Sequence, residues 1–398
     1  MPDKTPDRPR IFLDNVLLKG FKSIEYLSID FQKGLNILIG KNGSGKSNFM
    51  EFLFQVIGLN RNRKYSFNYA KLEFNSNDNH SFIIELKRQL QIKTDKSFGE
   101  DRLSLSEKLL MDGQVFFDNS NNEDDKNNLQ LKNQKIFYRG NLPGLFGNLG
   151  YQGVYPLYVK FDLPANLECV SAPGTFKINF ESSLVIWDDR DTISLVDDII
   201  YNLEMFYDDE SNKIRDIKKE DVLNQLKVKE KIIENLKVYT SIEDVRFSSN
   251  INIYRDEKSI IIDNIKIEFK LNGNWLPWSQ LSDGTKRLFY IISEVTNSNG
   301  LVLIEEPELG IHPHQFNLLM DFLKEQSEQK QIIISTHSPK ALDHLSQDEL
   351  SNILLTYYDL KKGTQIRHLT KKEVAKAKRY MKEVGFFSDY WLLSDLEE

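Results

Sequence analysis

The sequence predicts an α/β fold, a parallel sheet flanked by helices with antiparallel β structure beside it. Three stretches predict it. "NILIGKNGSGKSNFMEFL" (36–53) runs from an apolar strand through a glycine-rich loop into a segment with apolar residues at helical spacing. "LVLIEEPE" from residue 301 and "QIIISTHS" from residue 331 are apolar runs that end in polar residues, with one helical stretch, "PHQFNLLMDFLKEQ", between them. Continuously apolar strands alternating with helices mark a parallel sheet buried on both faces.

The other elements follow from local pattern. Residues 11–39 read as strands, punctuated by Gly20 and Gly34. "AKLEFN" and "HSFIIELKRQLQI" pair across the turn-rich "SNDN". The Asn- and Asp-rich stretch 118–133 reads as a solvated loop. "YPLYVKFDLPAN" and "GTFKINFESSLVIW" suggest further strands. Apolar stripes predict helices over 193–206 and 219–238, the second with Val222, Leu223, Leu226, Ile233 and Leu236. "VRFSSNINIY" and "SIIIDNIKIEFKLNGNWLPW" return to strand character, with Asn272-Gly273 as a hairpin turn. A helix follows Ser282. The expected division is an N-terminal lobe (1–92), a partly helical insertion (93–230), a second lobe (231–345) and a C-terminal extension (346–398).

Composition narrows the setting. The chain has 398 residues, 40% of them apolar, enough for a large core. Its net charge of −7 gives no overall attraction to nucleic acid or an anionic membrane. Cys169 is the single cysteine, which excludes an internal disulfide framework and a cysteine zinc site. The polar N-terminus lacks the apolar core of a signal peptide, and no apolar run approaches the ~18 residues of a membrane span. The expectation is a cytoplasmic protein with no membrane partner.

Gly40, Lys41, Asn42, Gly43, Ser44, Gly45, Lys46 and Ser47 complete the pattern G-x-x-x-x-G-K-[ST]. Backbone N–H groups of such a loop close on phosphate oxygens, and the helix that follows points its positive end at them. Lys46 would reach the β and γ phosphates and the Ser47 hydroxyl would bind Mg²⁺. Such a site needs a carboxylate at the end of a neighbouring strand. Alone, Glu305 and Glu306 would mark a solvated loop start. Beside a complete P-loop, Glu305 reads as the metal carboxylate and Glu306 as the group that orients or deprotonates water. His337 ends the next strand, where it could donate to the γ phosphate or the water. His312 and His314 lack a further ligand for a metal pair. Ser282 and Gly284, followed by Lys286 and Arg287, form a second helix start of anion-binding type. One nucleotide rarely needs two such sites, so the second is expected to face the nucleotide of another subunit.

These motifs, in this order, resemble the ABC-type ATPase heads of the SMC/RecF/OLD group, and most of all stand-alone bacterial "AAA family" ATPases and the ATPase half of OLD proteins. The resemblance rests on the P-loop, "LSDGTK", "LIEEPELGIHP", "STHSP" and the opening "LKGFKSIEYLSIDF", over residues 11–60 and about 230–345. It implies ATP and Mg²⁺ as ligands and a head-to-tail homodimer around ATP. In that dimer residues 40–47 and Asn48 of one chain would hold ATP, Ser282 and Gly284 of the other would cap it, and Lys46, Glu306 and His337 would carry the chemistry. Two departures are Glu rather than Asp at 305 and Asp283 where transporter heads have Gly. Gln89 and Gln91 are the candidates for a glutamine loop. The stretch after Leu345 is too short for the Toprim nuclease of OLD proteins, so a head without its own effector is expected.

Three functions compete: an ATP-gated switch for a separate effector, a nuclease in anti-phage defence; a RecF-type DNA repair clamp; and a scaffold whose ATP site only stabilises a dimer. Assembly beyond a dimer and contact with nucleic acid through the complex are compatible with the first. Two surface stretches bear on partners, the basic "KKEVAKAKRYMK" from residue 371 and the aromatic "VGFFSDYWLL" from residue 384.

Overall fold

The computed structural model describes residues 8–58, 67–91, 102–118, 128–131, 134–137, 142–152, 156–160, 174–179, 185–187, 218–255, 259–394 and 396. Its strands are β1 (Ile11–Phe21), β2 (Ile24–Asp30), β3 (Leu35–Ile39), β4 (Tyr69–Ser76), β5 (Ser81–Gln91), β6 (Arg102–Met111), β7 (Gln114–Asp118), β8 (Asn128–Leu131), β9 (Gln134–Phe137), β10 (Leu157–Val159), β11 (Gly174–Asn179), β12 (Val185–Trp187), β13 (Asp244–Phe247), β14 (Asn252–Arg255), β15 (Ser259–Ile265), β16 (Ile267–Leu271), β17 (Asn274–Pro277), β18 (Val302–Glu305), β19 (Ile332–Thr336), β20 (Ile353–Asp359) and β21 (Gly363–His368). The helices are α1 (Lys46–Ile57), α2 (Leu142–Asn148), α3 (Lys219–Gln225), α4 (Glu230–Tyr239), α5 (Asp283–Asn297), α6 (Pro313–Gln326), α7 (Lys371–Glu383) and α8 (Phe387–Leu393). Among them none is long and apolar enough to cross a membrane.

The chain forms two compact units. The first comprises 1–159, 298–307 and 323–398, and the second 160–297 and 308–322. In the first, one twelve-stranded sheet runs β10-β18-β19-β3-β20-β21-β2-β1-β4-β5-β6-β7. From β10 to β20 neighbours are parallel, and from β20 onward antiparallel. Burial follows this change. Every residue of β3 and β19 is buried, as expected of parallel strands covered on both faces. In β4 each second residue is buried, the period of a strand with one face in the core.

The core beneath the sheet is built on α1, whose Phe49, Met50, Phe52, Leu53, Val56 and Ile57 are buried. Phe52 meets Phe21 and Phe67 edge-on at 5.5 and 5.9 Å between ring centres. Leu38, Leu303, Ile333 and Leu354 of the parallel strands join the same cluster as Leu18, Leu72 and Ile84 of the antiparallel ones. One helix therefore binds both parts of the sheet.

The second unit holds a four-stranded sheet β12-β11-β15-β14, a three-stranded sheet β13-β16-β17 and the buried helix α5. Phe289 of α5 packs edge-on against Phe269 at 4.8 Å. The β16–β17 hairpin turns at Asn272 and Gly273, both with positive φ, as a two-residue turn of this kind requires.

Two expectations change. The predicted 219–238 helix is two, α3 and α4, because Leu226 and Val228 are both buried and residues two apart share a face only in extended chain. The predicted 118–133 loop is in part strand, since Asn128–Leu131 is β8, paired with β9; 119–127 and 132–133 lie outside the described residues. The predicted 193–206 helix also lies outside them. Gln89 and Gln91 fall on β5, six places from β3 in the sheet order.

The aromatic C-terminal stretch divides its side chains. Phe387 and Trp391 of α8 are buried, while Phe386, Leu392 and Leu393 are exposed. Ser388 donates through its N–H and its Oγ to Asp343, both at 2.8 Å, which fastens α8 to the turn after His337. In α7 Ala377 is the buried residue, so its lysines spread over a solvated surface.

Two predictions follow from polar groups that hold this unit together. Buried Gln331 accepts from Leu13 N at 2.8 Å and donates to Leu13 O at 2.8 Å and Gln32 O at 3.0 Å, closing backbone groups beside the irregular pairing of β1 at Leu13. Gln331→Met keeps the volume but strands those groups, and should cost roughly 2–4 kcal/mol in urea unfolding. Glu373 pairs bidentately with Arg367 at 2.9 and 3.0 Å and caps α7. The Arg367 hydrogen bonds hold its carboxyl down, from an ordinary 4.5 to about 2, against the opposing effect of burial. A depressed carboxyl stabilises the fold above its unfolded value and loses that contribution as pH falls through its folded value. The stability gap between wild type and Glu373→Gln should therefore stay level above about pH 5 and shrink as pH falls from 4.5 toward 2. Denaturant unfolding at stepped pH measures it.

Candidate functional site

Register brings the candidate residues of the first unit together. β19 lies between β3 and β18, parallel to both, with Thr336 opposite Ile39 and Ser335 opposite Glu305. The residues that leave the sheet at this edge are Gly40, His337 and Glu306.

The loop after β3 is shaped by close packing. A Cβ on Gly40 would lie 2.0 Å from the Thr356 carbonyl oxygen, so no larger residue fits against β20. Gly45 has φ +100, and its Cβ would lie 2.0 Å from Thr364 Oγ1. Gly45 is the residue before α1 and has no side chain to cap it, nor is there an acid in the first turn. The leading N–H groups of α1 are thus left for an anion. Lys46, 6% exposed, folds its amine onto the loop, donating to Gly40 O at 2.7 Å and Lys41 O at 3.1 Å. A cleft of about 320 Å³ is lined by Asn42, Gly43, Gly45, Lys46, Ser47, Asn48 and Glu306. Its donors are backbone N–H groups and an ammonium, which fits a polyphosphate.

Asn48 has a second duty. Its Nδ2 donates to Ser23 Oγ at 2.7 Å, and Ser23 Oγ lies 2.7 Å from Thr364 Oγ1. This chain ties α1 to the β1–β2 turn and to β21. A larger cleft of about 620 Å³ lies behind the loop, where Ser44 and Thr356 line it with Ile39, Leu355 and Trp391. Ile39 and Leu355 are register partners. Their strand neighbours Leu38 and Leu354 face the core of α1, so this second cleft opens on the opposite face of the sheet.

The acids are held differently from each other. Glu305 ends β18 and accepts a hydrogen bond from the Tyr158 hydroxyl. Glu306 adopts φ +43, a left-handed backbone that costs a non-glycine residue on the order of 1 kcal/mol, and its N–H donates to Ser335 O at 2.7 Å. Its Oε1 lies 3.7 Å from His337 Nδ1. Thr336 Oγ1 accepts from Ser338 N at 2.9 Å and shapes the turn that carries His337. A hard divalent cation beside a bound phosphate would find the Ser47 hydroxyl and the Glu306 carboxylate in the cleft wall, with Glu305 the preceding residue at the end of β18, a donor set of the kind that leaves most positions to phosphate and water. Among the described residues no group of three or more His, Cys, Asp and Glu could hold a metal, which leaves His312 and His314 without a third ligand.

Ser282 and Gly284 belong to the second unit. Ser282 Oγ caps α5 by accepting from Thr285 N at 3.2 Å. Gly284 lets the helix approach Gly310, whose carbonyl oxygen would lie 2.8 Å from a Cβ. Tyr158 was not anticipated from the sequence. It sits in a three-residue strand whose partner lies far downstream, and "YPLYVKF" reads only as a mostly apolar strand.

Known proteins match along most of this length. Residues 12–142 match the family model "AAA ATPase domain", and 158–343 match "AAA domain, putative AbiEii toxin, Type IV TA system". "Retron Vc95 probable ATPase" of Vibrio cholerae is 23% identical over 86% of this chain and 74% of its own length. "ATP/GTP phosphatase" of Helicobacter pylori is 22% identical over 84% of this chain and 88% of its own. A solved SMC head bound to the C-winged helix domain of ScpA aligns with 92% of this chain and 99% of its own, at 14% identity and a TM-score of 0.48. With the P-loop inside one matched region and Glu305, Glu306 and His337 inside the other, the chain is similar to AAA-type ATPases over both regions and is an ATP-hydrolysing enzyme.

Proposed function

We propose that the chain is an ATP-gated switch: two copies close head to tail around ATP and control a separate effector, a nuclease in anti-phage defence. The observation that carries the ATP site is the cleft at the uncapped start of α1, with Lys46 in its wall and Glu306 across from His337. Lys46 would leave the Gly40 and Lys41 carbonyls for the β and γ phosphates. Glu306 would position and deprotonate the attacking water, and His337 would steady that carboxylate and sense the γ phosphate. Ser47 and Glu305 would hold Mg²⁺, which supplies charge neutralisation at the phosphates. The left-handed backbone at Glu306 supports such a role, since strain of this kind gathers at functional sites. The retron ATPase among the relatives is compatible with a defence setting.

Lys46→Ala should weaken ATP binding by roughly 10–100-fold, the loss of a charge-assisted contact. Glu306→Gln should bind ATP as wild type does and hydrolyse it about 10²–10⁴-fold more slowly. Equilibrium binding and phosphate release measure the two, and a wild-type rate in Glu306→Gln removes the base assignment.

The dimer is supported by the second helix start, at Ser282. Ser282→Arg should leave ATP binding to the monomer intact and abolish hydrolysis. Mixing it with Lys46→Ala should restore one composite site per heterodimer, since one chain keeps a good P-loop and the other a good Ser282. Normal hydrolysis by Ser282→Arg alone would show a site complete within one chain and end the sandwich model.

A second reading, direct DNA binding of the RecF/SMC kind, draws on the lysines of α7. It requires a steep fall of DNA affinity with salt. DNA binding that Lys376→Glu and Lys382→Glu together remove would favour it over the switch.

A further inference from the structure

Glu305 poses a problem of reach. A glutamate has one more rotatable bond than an aspartate, so at the end of β18 its carboxylate has more rotamers to lose before it can serve a metal. The edge strand β10 answers it. Tyr158 of β10 pairs in register with Leu303 of β18, and parallel register partners share a face. Glu305, two residues after Leu303, lies on that face as well, the one that packs on α1. A side chain as long as tyrosine spans the diagonal to a residue two positions on. Its hydroxyl donates to Glu305 Oε1. The ring is not free to swing, because it packs on Phe54 of α1 with 5.0 Å between ring centres. One side chain thus touches the helix that begins at the P-loop, the neighbouring strand and the carboxylate.

We propose that Tyr158 is a positioning residue for Glu305. By holding Oε1 it would leave the other oxygen, Oε2, for the Mg²⁺ that Glu305 and Ser47 would hold, and would restrict the rotamers of the glutamate. The inference rests on the ATP and Mg²⁺ site proposed above, but its test reads metal binding rather than turnover. The Phe54 contact also makes the arrangement responsive to the P-loop helix: a shift of α1 moves the ring, and the ring moves the carboxylate.

The experiment compares wild type, Tyr158→Phe, Glu305→Asp and the double variant. Mn²⁺ is titrated into protein with ADP, and bound Mn²⁺ is read by electron paramagnetic resonance. Nucleotide affinity in EDTA and the thermal midpoint are measured alongside. Tyr158→Phe keeps the ring and its packing on Phe54, so metal-free nucleotide affinity and thermal midpoint should stay as in wild type. Its Mn²⁺ affinity should fall roughly 10-fold, the usual cost of losing an outer partner of a metal ligand. In the Glu305→Asp background the shorter side chain no longer reaches the hydroxyl, so Tyr158→Phe should then change Mn²⁺ affinity less than about 2-fold. Equal Mn²⁺ affinities of wild type and Tyr158→Phe would overturn the proposal, as would the same loss in both backgrounds or a parallel loss of metal-free nucleotide binding. Wild type that binds nucleotide but shows no nucleotide-dependent Mn²⁺ site would overturn the metal assignment of Ser47 and Glu305, and this inference with it.

Discussion

The parallel register of β3, β19 and β18 is the constraint on which the site depends. These strands are buried along their length, so a polar residue within them needs partners, as Asn36 has in Gln32, and the acids and the histidine lie where the strands leave the sheet. Pairing Ile39 with Thr336 and Ser335 with Glu305 brings the three exits to one level. The glycine-rich loop, His337 and Glu306 then come together without any long loop to carry them. A slip of one residue would turn every buried side chain to the other face and separate the groups at once.

The loop after β3 takes its shape from the far end of the chain. Thr356 on β20 and Thr364 on β21 come so close to Gly40 and Gly45 that only glycine fits at either place. The Asn48–Ser23–Thr364 series adds hydrogen bonds across the same seam. Residues some three hundred positions apart therefore set one loop. The C-terminal segment is part of the same assembly, because Ser388 fastens α8 to the turn after His337 and Trp391 lines the cleft behind the loop.

Much of the fold was legible because its signals are local. The all-apolar strands, the glycine loop, the helix after it and the Asn272-Gly273 turn each lie within a few residues of sequence. Where the reading failed, competing patterns overlapped. The apolar stripe over 219–238 hid a break, since Leu226 and Val228 satisfy burial in extended chain as well as Leu226 does in a helix. The Asn-rich composition around β8 outweighed the alternation of Leu129 and Leu131.

By itself the sequence determined the chemical inventory: a loop of the G-x-x-x-x-G-K-[ST] pattern with Lys46 and Ser47, two acids and a histidine at the ends of apolar strands, and a second helix start at Ser282. Those are properties of residue type and near-neighbour spacing. The tertiary structure decided how the inventory is used. It set the left-handed backbone of Glu306 with its carboxylate beside His337, gave Ser282 and Gly284 their local duties on α5, and brought Tyr158 to Glu305. Each of these depends on which strand lies beside which, and strand order is settled by packing among residues distant in sequence, which no local pattern records.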